Sequence, residues 1–349
     1  MSLEVKIKKR MGDFCLDVEF TSESGVTGLL GASGCGKSLT LRSIAGIIKP
    51  DEGYIVLNGK VLFESRQKIN LPPQKRQVGY LFQNYALFPN MTVAQNIACG
   101  LPHEKNKKKK QEMVAAMMES MHLTGLESLK PHQLSGGQQQ RTALARVLVG
   151  KPEVLLLDEP FSALDSYLKE QLMTELRKML GYFDKDVLLV THSRDEVYDL
   201  CDSMAIMESG KLIGMGRTKK IFSDPGTRTG AMLTGCKNIV PARAAGPRLV
   251  EIPRWGVTMH TGQDIREGLC AIGIRAHYFD EAITDNAFPV VIEELIEEPF
   301  AWIIKFRYEK QDSKSAPVWW RFSKEKKNPD GLQRTRLGIA PEDILLLYK

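Results

Sequence analysis

The chain has 349 residues, with 43% hydrophobic residues, 29 Gly and 17 Pro, a length that predicts two or three units and a composition that excludes bulk disorder, collagen-like and coiled-coil classes. Lys and Arg number 48 against 42 Asp and Glu, and a net charge of +6 is too small an excess at this length to argue for nucleic acid. The six cysteines, at 15, 35, 99, 201, 236 and 270, form no C-x-x-C pair, so zinc and redox spacings are absent and reduced thiols are expected. Residues 1–6 carry no apolar stretch of signal-peptide length and no run reaches the ~18 apolar residues of a membrane span, so a membrane role is expected only through a partner.

In chain order, Leu3, Val5 and Ile7 alternate with charged residues, and Phe14, Leu16, Val18 and Phe20 alternate again after Gly12-Asp13, which predicts an antiparallel hairpin. A buried strand over 26–30 leads into a Gly-rich turn and a helix over 37–47, the order of an α/β nucleotide-binding core. From 91 to 150 the pattern turns helical, with segments at 92–99, 107–123 and 138–149. Apolar strands return at 154–157 and 187–190, separated by an amphipathic stretch over 167–181, as a βαβ unit requires. Past Cys236 strand-like runs follow at 249–252, 270–274, 289–292, 302–308 and 318–322, which predicts a separate β-rich domain. That block holds all four tryptophans, and adjacent Trp319 and Trp320 must face opposite sides if they lie in a strand.

Gly31, Ala32, Ser33, Gly34, Cys35, Gly36, Lys37 and Ser38, followed by Leu39, fit G-x-x-x-x-G-K-[ST] in the strand-to-helix context that this motif needs. Backbone N–H groups and the helix N-terminus can wrap phosphates, Lys37 can reach the terminal phosphates and Ser38 can hold Mg²⁺. The strand over 154–157 ends in two carboxylates, so Asp158 can meet the metal through water and Glu159 can orient and deprotonate an attacking water. Alone, the loop says only nucleoside triphosphate, and the acidic pair could close any buried strand.

Leu134-Ser135-Gly136-Gly137-Gln138, opening a helical stretch, resembles the signature of ATP-binding-cassette ATPases. The rest of that family's set follows in order: Gln83 after a strand at 78–82, Ser162-Ala163-Leu164-Asp165 after Glu159, and His192 after the strand ending at Val190. The resemblance implies ATP and Mg²⁺ as ligands, with Gln83 sensing the γ-phosphate and the metal and His192 contacting the γ-phosphate. It places Asp165 at a dimer junction and implies that Ser135, Gly137 and Gln138 serve the ATP of a second copy in a head-to-tail homodimer. Family members stack adenine on an aromatic residue just upstream of the Gly-rich loop. Here Met11 stands at roughly that place and Phe14 a little further on, inside an apolar alternation, so Phe14 is open between adenine contact and core.

The implied fold is α/β: an ABC nucleotide-binding domain over 1–235, with a P-loop core, an antiparallel β subdomain and a helical subdomain at about 88–150. An all-β, OB-like or TOBE-type accessory domain over 236–349 completes it. Residues 1–235 resemble importer cassettes of the molybdate, sulfate and sugar group. The soft signals are 14–18, Gly59-Lys60-Val61-Leu62-Phe63 before Leu71-Pro72-Pro73, and Gly235-Cys236-Lys237-Asn238-Ile239. That resemblance implies ATP-driven uptake of an oxyanion, molybdate ahead of sulfate or tungstate, through separate membrane permease subunits fed by a solute-binding protein. The chain would then work at the cytoplasmic face of the membrane. Importers of sugar, polyamine or iron are the alternative, and a nucleic-acid-associated ATPase is the competing class. Against that class, Ser135 follows Lys37 too closely for a long coiled coil, no zinc-finger cysteines exist and a single cassette is present. The run 107–110 of four lysines is flanked by Glu104 and Glu112 and reads as a solvated helix face. Met113, Met117 and Met121 form an apolar stripe suited to core packing or to a groove for a permease helix.

Overall fold

The computed structural model describes residues 2–22, 25–162 and 166–348, without the side chains of 166–168 and 182. The chain divides into two compact units, residues 1–218 and 219–349. The segment 219–235, expected to close the ATPase domain, therefore belongs with the second unit.

The first unit runs β1 (Leu3–Met11), β2 (Phe14–Ser22), β3 (Val26–Gly31), α1 (Lys37–Ala45), β4 (Glu52–Leu57), β5 (Lys60–Glu64), β6 (Ile69–Asn70), β7 (Val78–Leu81), α2 (Val93–Ala98), α3 (Lys107–Ser120), α4 (Gly136–Leu148), β8 (Val154–Asp158), α5 (Ser166–Tyr182), β9 (Asp186–Thr191), α6 (Arg194–Leu200), β10 (Ser203–Glu208) and β11 (Lys211–Arg217). All eleven strands join one sheet in the order β6-β5-β4-β1-β2-β11-β10-β3-β9-β8-β7. Its first half is antiparallel, and the predicted hairpin is β1–β2, closed by Met11 opposite Phe14. Leu3, Val5, Ile7, Leu16, Val18 and Phe20 alternate into the core while their charged neighbours face out.

The second half is parallel: β10, β3, β9, β8 and β7 lie side by side in one direction. Every residue of β3, β8 and β9 is buried, the reason these strands read as unbroken apolar runs. Neighbouring parallel strands bring their carboxyl ends to one edge of the sheet, where open α/β sheets bind ligands. The loops after β3, β7, β8 and β9 therefore gather there, and these four carry the motifs.

The helical layer is α2, α3 and α4 around Val93, Ile97, Val114, Met118, Leu123 and Ala145. Met121 is buried in that cluster, and Met113 and Met117 pack against it, so the methionine stripe is core.

The second unit contains α7 (Thr218–Ser223), α8 (Arg228–Leu233), β12 (Asn238–Pro241), β13 (Arg243–Gly246), β14 (Leu249–Ile252), β15 (Val257–His260), β16 (Leu269–Ile274), β17 (Phe288–Glu297), β18 (Ala301–Tyr308), β19 (Val318–Ser323), β20 (Arg334–Leu337) and β21 (Ile344–Tyr348). Its strands form three antiparallel sheets, β12-β16-β21, β13-β14-β15 and β19-β18-β17-β20, rather than one continuous hydrogen-bonded ring. One core serves them, with Trp255, Phe279, Phe306 and Trp320 at its centre. Alternation along β19 buries Trp320 and leaves Trp319 half-buried, as the adjacent pair required. In its four-stranded sheet Lys305 pairs with Glu294 at 2.6 Å and Arg321 with Glu298 at 3.0 Å.

Candidate functional site

The loop after β3 is shaped by glycines. Gly36 caps α1 at φ 108°, and a Cβ there would sit 2.8 Å from Leu16 Cδ1 and 3.1 Å from Phe14 Cζ. The Phe14 ring thus lies under the loop and packs on the first unit's core, while Met11 is exposed. The N–H groups of Ser33, Gly34 and Gly36 make no hydrogen bond among the described residues, and α1 adds the free donors of its first turn. Lys37 is buried, with Nζ donating to Gly31 O at 2.8 Å and Ala32 O at 2.9 Å and lying 3.9 Å from Cys35 Sγ. Free N–H donors around a lysine held only by its own loop form a cradle that fits a polyphosphate.

Asp158 ends β8, and its carboxylate accepts from Ser38 Oγ at 2.7 Å and from the Tyr80 hydroxyl at 2.7 Å. A hydroxyl and a carboxylate side by side are hard oxygen ligands, the donor set that suits Mg²⁺. The next residue, Glu159, sits at φ 46°, a left-handed backbone that costs a side-chain-bearing residue about 1–2 kcal/mol. Its N–H is tied to Val190 O at 2.9 Å on β9. That turn brings Glu159 Oε2 to 3.3 Å from His192 Nδ1. Glu159 is 19% exposed and His192 61%, so the pair opens to solvent.

Around them lies a cavity of about 220 Å³, lined by Glu159, Phe161, Ser162, Lys169, Thr191, His192 and Glu196. A larger concavity of about 660 Å³ lies between β1, β4 and β5 and holds none of the motif residues. Behind His192, the buried Glu196 accepts from Thr191 Oγ1 at 2.5 Å and pairs with Lys169 of α5 at 2.5 Å. This network braces the loop that carries the histidine.

Ser135, Gly137 and Gln138 open α4, away from that cavity. Ser135 caps the helix, accepting from Gln138 N at 3.3 Å while Gln138 Oε1 accepts from Ser135 N at 2.9 Å. That reciprocal pair satisfies two backbone donors at the helix start. Gln83 is exposed on the loop after β7. Arg146, near the other end of α4, clamps that loop, donating to Tyr85 O and Ala86 O at 2.7 Å each with its guanidinium over the Phe88 ring. Asp165, with Ala163 and Leu164, lies outside the described residues.

The structure thus gathers Lys37, Ser38, Asp158, Glu159 and His192 and keeps Ser135, Gly137 and Gln138 on a separate helix. Tyr80, Arg146, Lys169 and Glu196 escaped sequence reasoning. For Glu196 the signal present, Ser193 three residues earlier, spells a helix cap, and Ser193 Oγ does accept from Glu196 N at 3.4 Å. The side chain, however, is used elsewhere. For Tyr80 the only hint is a hydroxyl inside an apolar run.

Among the described residues no three His, Cys, Asp or Glu side chains converge as a metal cage, and no helix is long and apolar enough to cross a membrane. The ABC transporter family profile matches residues 16–162. The Molybdenum import ATP-binding protein ModC of Paramagnetospirillum magneticum is 36% identical over 291 residues, covering 80% of this chain and 78% of that protein. The Molybdate/tungstate import ATP-binding protein WtpC of Archaeoglobus fulgidus is 43% identical over 64% of this chain and 90% of its own length. A dimeric ATP-binding cassette in a post-hydrolysis state, bound to ADP and Pi, superposes with a TM-score of 0.53 at 26% identity, over 62% of this chain and 99% of that one. With the phosphate loop, the carboxylate pair and the histidine converging on one sheet edge, the chain belongs to the ABC transporter family and is one of its ATPases.

Proposed function

We propose that this ATPase powers the import of an oxyanion, molybdate ahead of sulfate or tungstate, as a head-to-tail homodimer on the cytoplasmic face of separate permease subunits. The permease would be loaded by a solute-binding protein. The observation that carries the ATPase chemistry is Glu159 held 3.3 Å from His192 beside the Lys37–Ser38–Asp158 cluster. The 36% identity to a molybdenum import protein over 80% of the chain supports the solute.

In this reading the loop N–H groups and Lys37 bind and orient the β- and γ-phosphates. Ser38, Asp158 and Gln83 would hold Mg²⁺, which would supply neutralisation of the phosphate charge. Glu159 accepts the proton of the attacking water, and His192 both orients Glu159 and contacts the γ-phosphate. Ser135, Gly137 and Gln138 donate to the ATP of the partner copy, and Asp165 sits at the junction. ATP then holds two copies together, and its hydrolysis lets them part. Phe14 is the candidate adenine contact, through whatever ring surface its core packing leaves open.

Glu159→Gln keeps the shape and removes the base. Steady-state phosphate release is expected to fall by about 10²–10⁴-fold with nucleotide binding retained, and undiminished hydrolysis overturns the assignment. For the solute, the ATPase reconstituted with its permease in liposomes is expected to respond to molybdate-loaded binding protein. Stimulation by sulfate alone, or by DNA or RNA, moves the function to the corresponding alternative.

A further inference from the structure

One carboxylate oxygen of Asp158 belongs to Ser38, and the other is taken by a residue outside the ATPase motifs. Tyr80 lies on β7, paired in register with Leu156 of β8, two residues before Asp158. Its phenol donates to Asp158 Oδ2 at 2.7 Å while Ser38 Oγ donates to Oδ1 at 2.7 Å. A carboxylate has acceptors only, so the phenol's proton is committed to Asp158. Three side chains thus form a chain from Ser38 of α1 through Asp158 of β8 to Tyr80 of β7.

The two bonds on Asp158 have different fates. Ser38 is itself a candidate ligand, so holding a cation sets a second demand on its hydroxyl. Tyr80 has no such second demand in the reading above, and its ring packs against the first unit's core. A carboxylate torsion is intrinsically broad, and an outer partner that fixes it sets where the ligand oxygen points.

We propose that Tyr80 is a positioning residue that aims Asp158 at the divalent cation accompanying the nucleotide. The assignment rests on the ATPase reading above. Tyr80 touches neither nucleotide nor cation, and its effect is confined to the cation-dependent part of binding.

The test compares the full-length Glu159→Gln chain with the same chain carrying Tyr80→Phe. ATP affinity is measured in EDTA and again across a Mg²⁺ or Mn²⁺ titration. The expected result is unchanged affinity in EDTA and a cation-dependent gain reduced about tenfold, the low end for partners of metal ligands. An undiminished gain overturns the proposal, and so does an equal loss with and without cation, which marks a purely structural role. If the Glu159→Gln chain itself shows no cation-dependent ATP binding, the ATPase reading falls with it, an outcome distinct from a normal reference and an unaffected variant. Should Tyr80→Phe fail to fold, 3-fluorotyrosine at position 80 is used instead. Its fluorine resonance is expected to move when Mg²⁺ joins the ATP complex, and an unmoved resonance overturns the proposal.

Discussion

Two buried carboxylates of the first unit sit in opposite circumstances. Glu196 is satisfied at 2.5 Å by both Thr191 and Lys169, whereas neither oxygen of Asp186, buried at the start of β9, has a hydrogen-bond partner among the described residues. Burying a charge without a partner disfavours the charged form, and desolvation accordingly raises the Asp186 pKa. The sign follows from linkage: a carboxyl raised in the folded state favours folding while protonated, and that contribution is lost as pH rises through the folded value. At neutral pH Asp186 therefore favours folding less than it does at acid pH. Asp186→Asn, nearly isosteric and uncharged, is expected to raise the urea midpoint at pH 7. The difference from wild type should shrink as the pH falls toward the ordinary carboxylate range. A variant less stable at pH 7, or a difference that grows on acidification, would show that the carboxylate is favourably held.

At the scale of elements, α4 joins two motif positions that lie far apart in sequence. Its first turn presents Ser135 and Gly137, and its last turns carry Arg146, which grips the loop holding Gln83. Tyr85 and Ala86 stand at φ 60° and 44°, two consecutive left-handed residues that are each unfavourable by about 1–2 kcal/mol. The two 2.7 Å guanidinium bonds offset that strain. Arg146→Met keeps the apolar stem and removes both bonds, so the loop should relax. Amide hydrogen exchange over residues 83–90 is expected to speed up by about tenfold or more, while that of β3, β8 and β9 stays as it was. Unchanged exchange in the loop would mean that its left-handed turn is self-supporting.

Much of this architecture was legible in the chain. Alternation marked β1, β2 and β19, unbroken apolar runs marked β3, β8 and β9, spacing marked the phosphate loop, and a family resemblance marked the start of α4. These features are local: a period or a motif within about ten residues. The Arg146 clamp joins positions 60 apart, and the Tyr80–Asp158 bond joins positions 78 apart, so both exist only once β7 lies beside β8 and against α4. The boundary misled for a related reason. Cys236 marks where the strand pattern begins, but α8, just before it, buries Ala231 with Cys236, Ala271 and Leu347 in the second unit.

For the whole molecule, two units with separate cores imply separable unfolding. Only residues 1–218 hold the phosphate cradle, so ligand should stabilise one of them. Calorimetry of the Glu159→Gln chain is expected to show two transitions. ATP with Mg²⁺ at a hundredfold excess over Kd should add about 2.7 kcal/mol to the first unit, raising its midpoint by about 5–10 °C, with the second in place. A single transition that moves as a whole would show that the units unfold together.

The tryptophans offer a way to watch that relation without unfolding anything. All four fall in residues 219–349, with Trp255 and Trp320 deep in the core there. At tryptophan wavelengths the nucleotide-handling unit is dark and its companion is lit, by composition alone. A change of emission when ATP is added therefore reports a signal that has reached the second unit, of the same copy or its partner. The unmodified protein thus carries its own optical probe of whether the accessory domain senses the nucleotide.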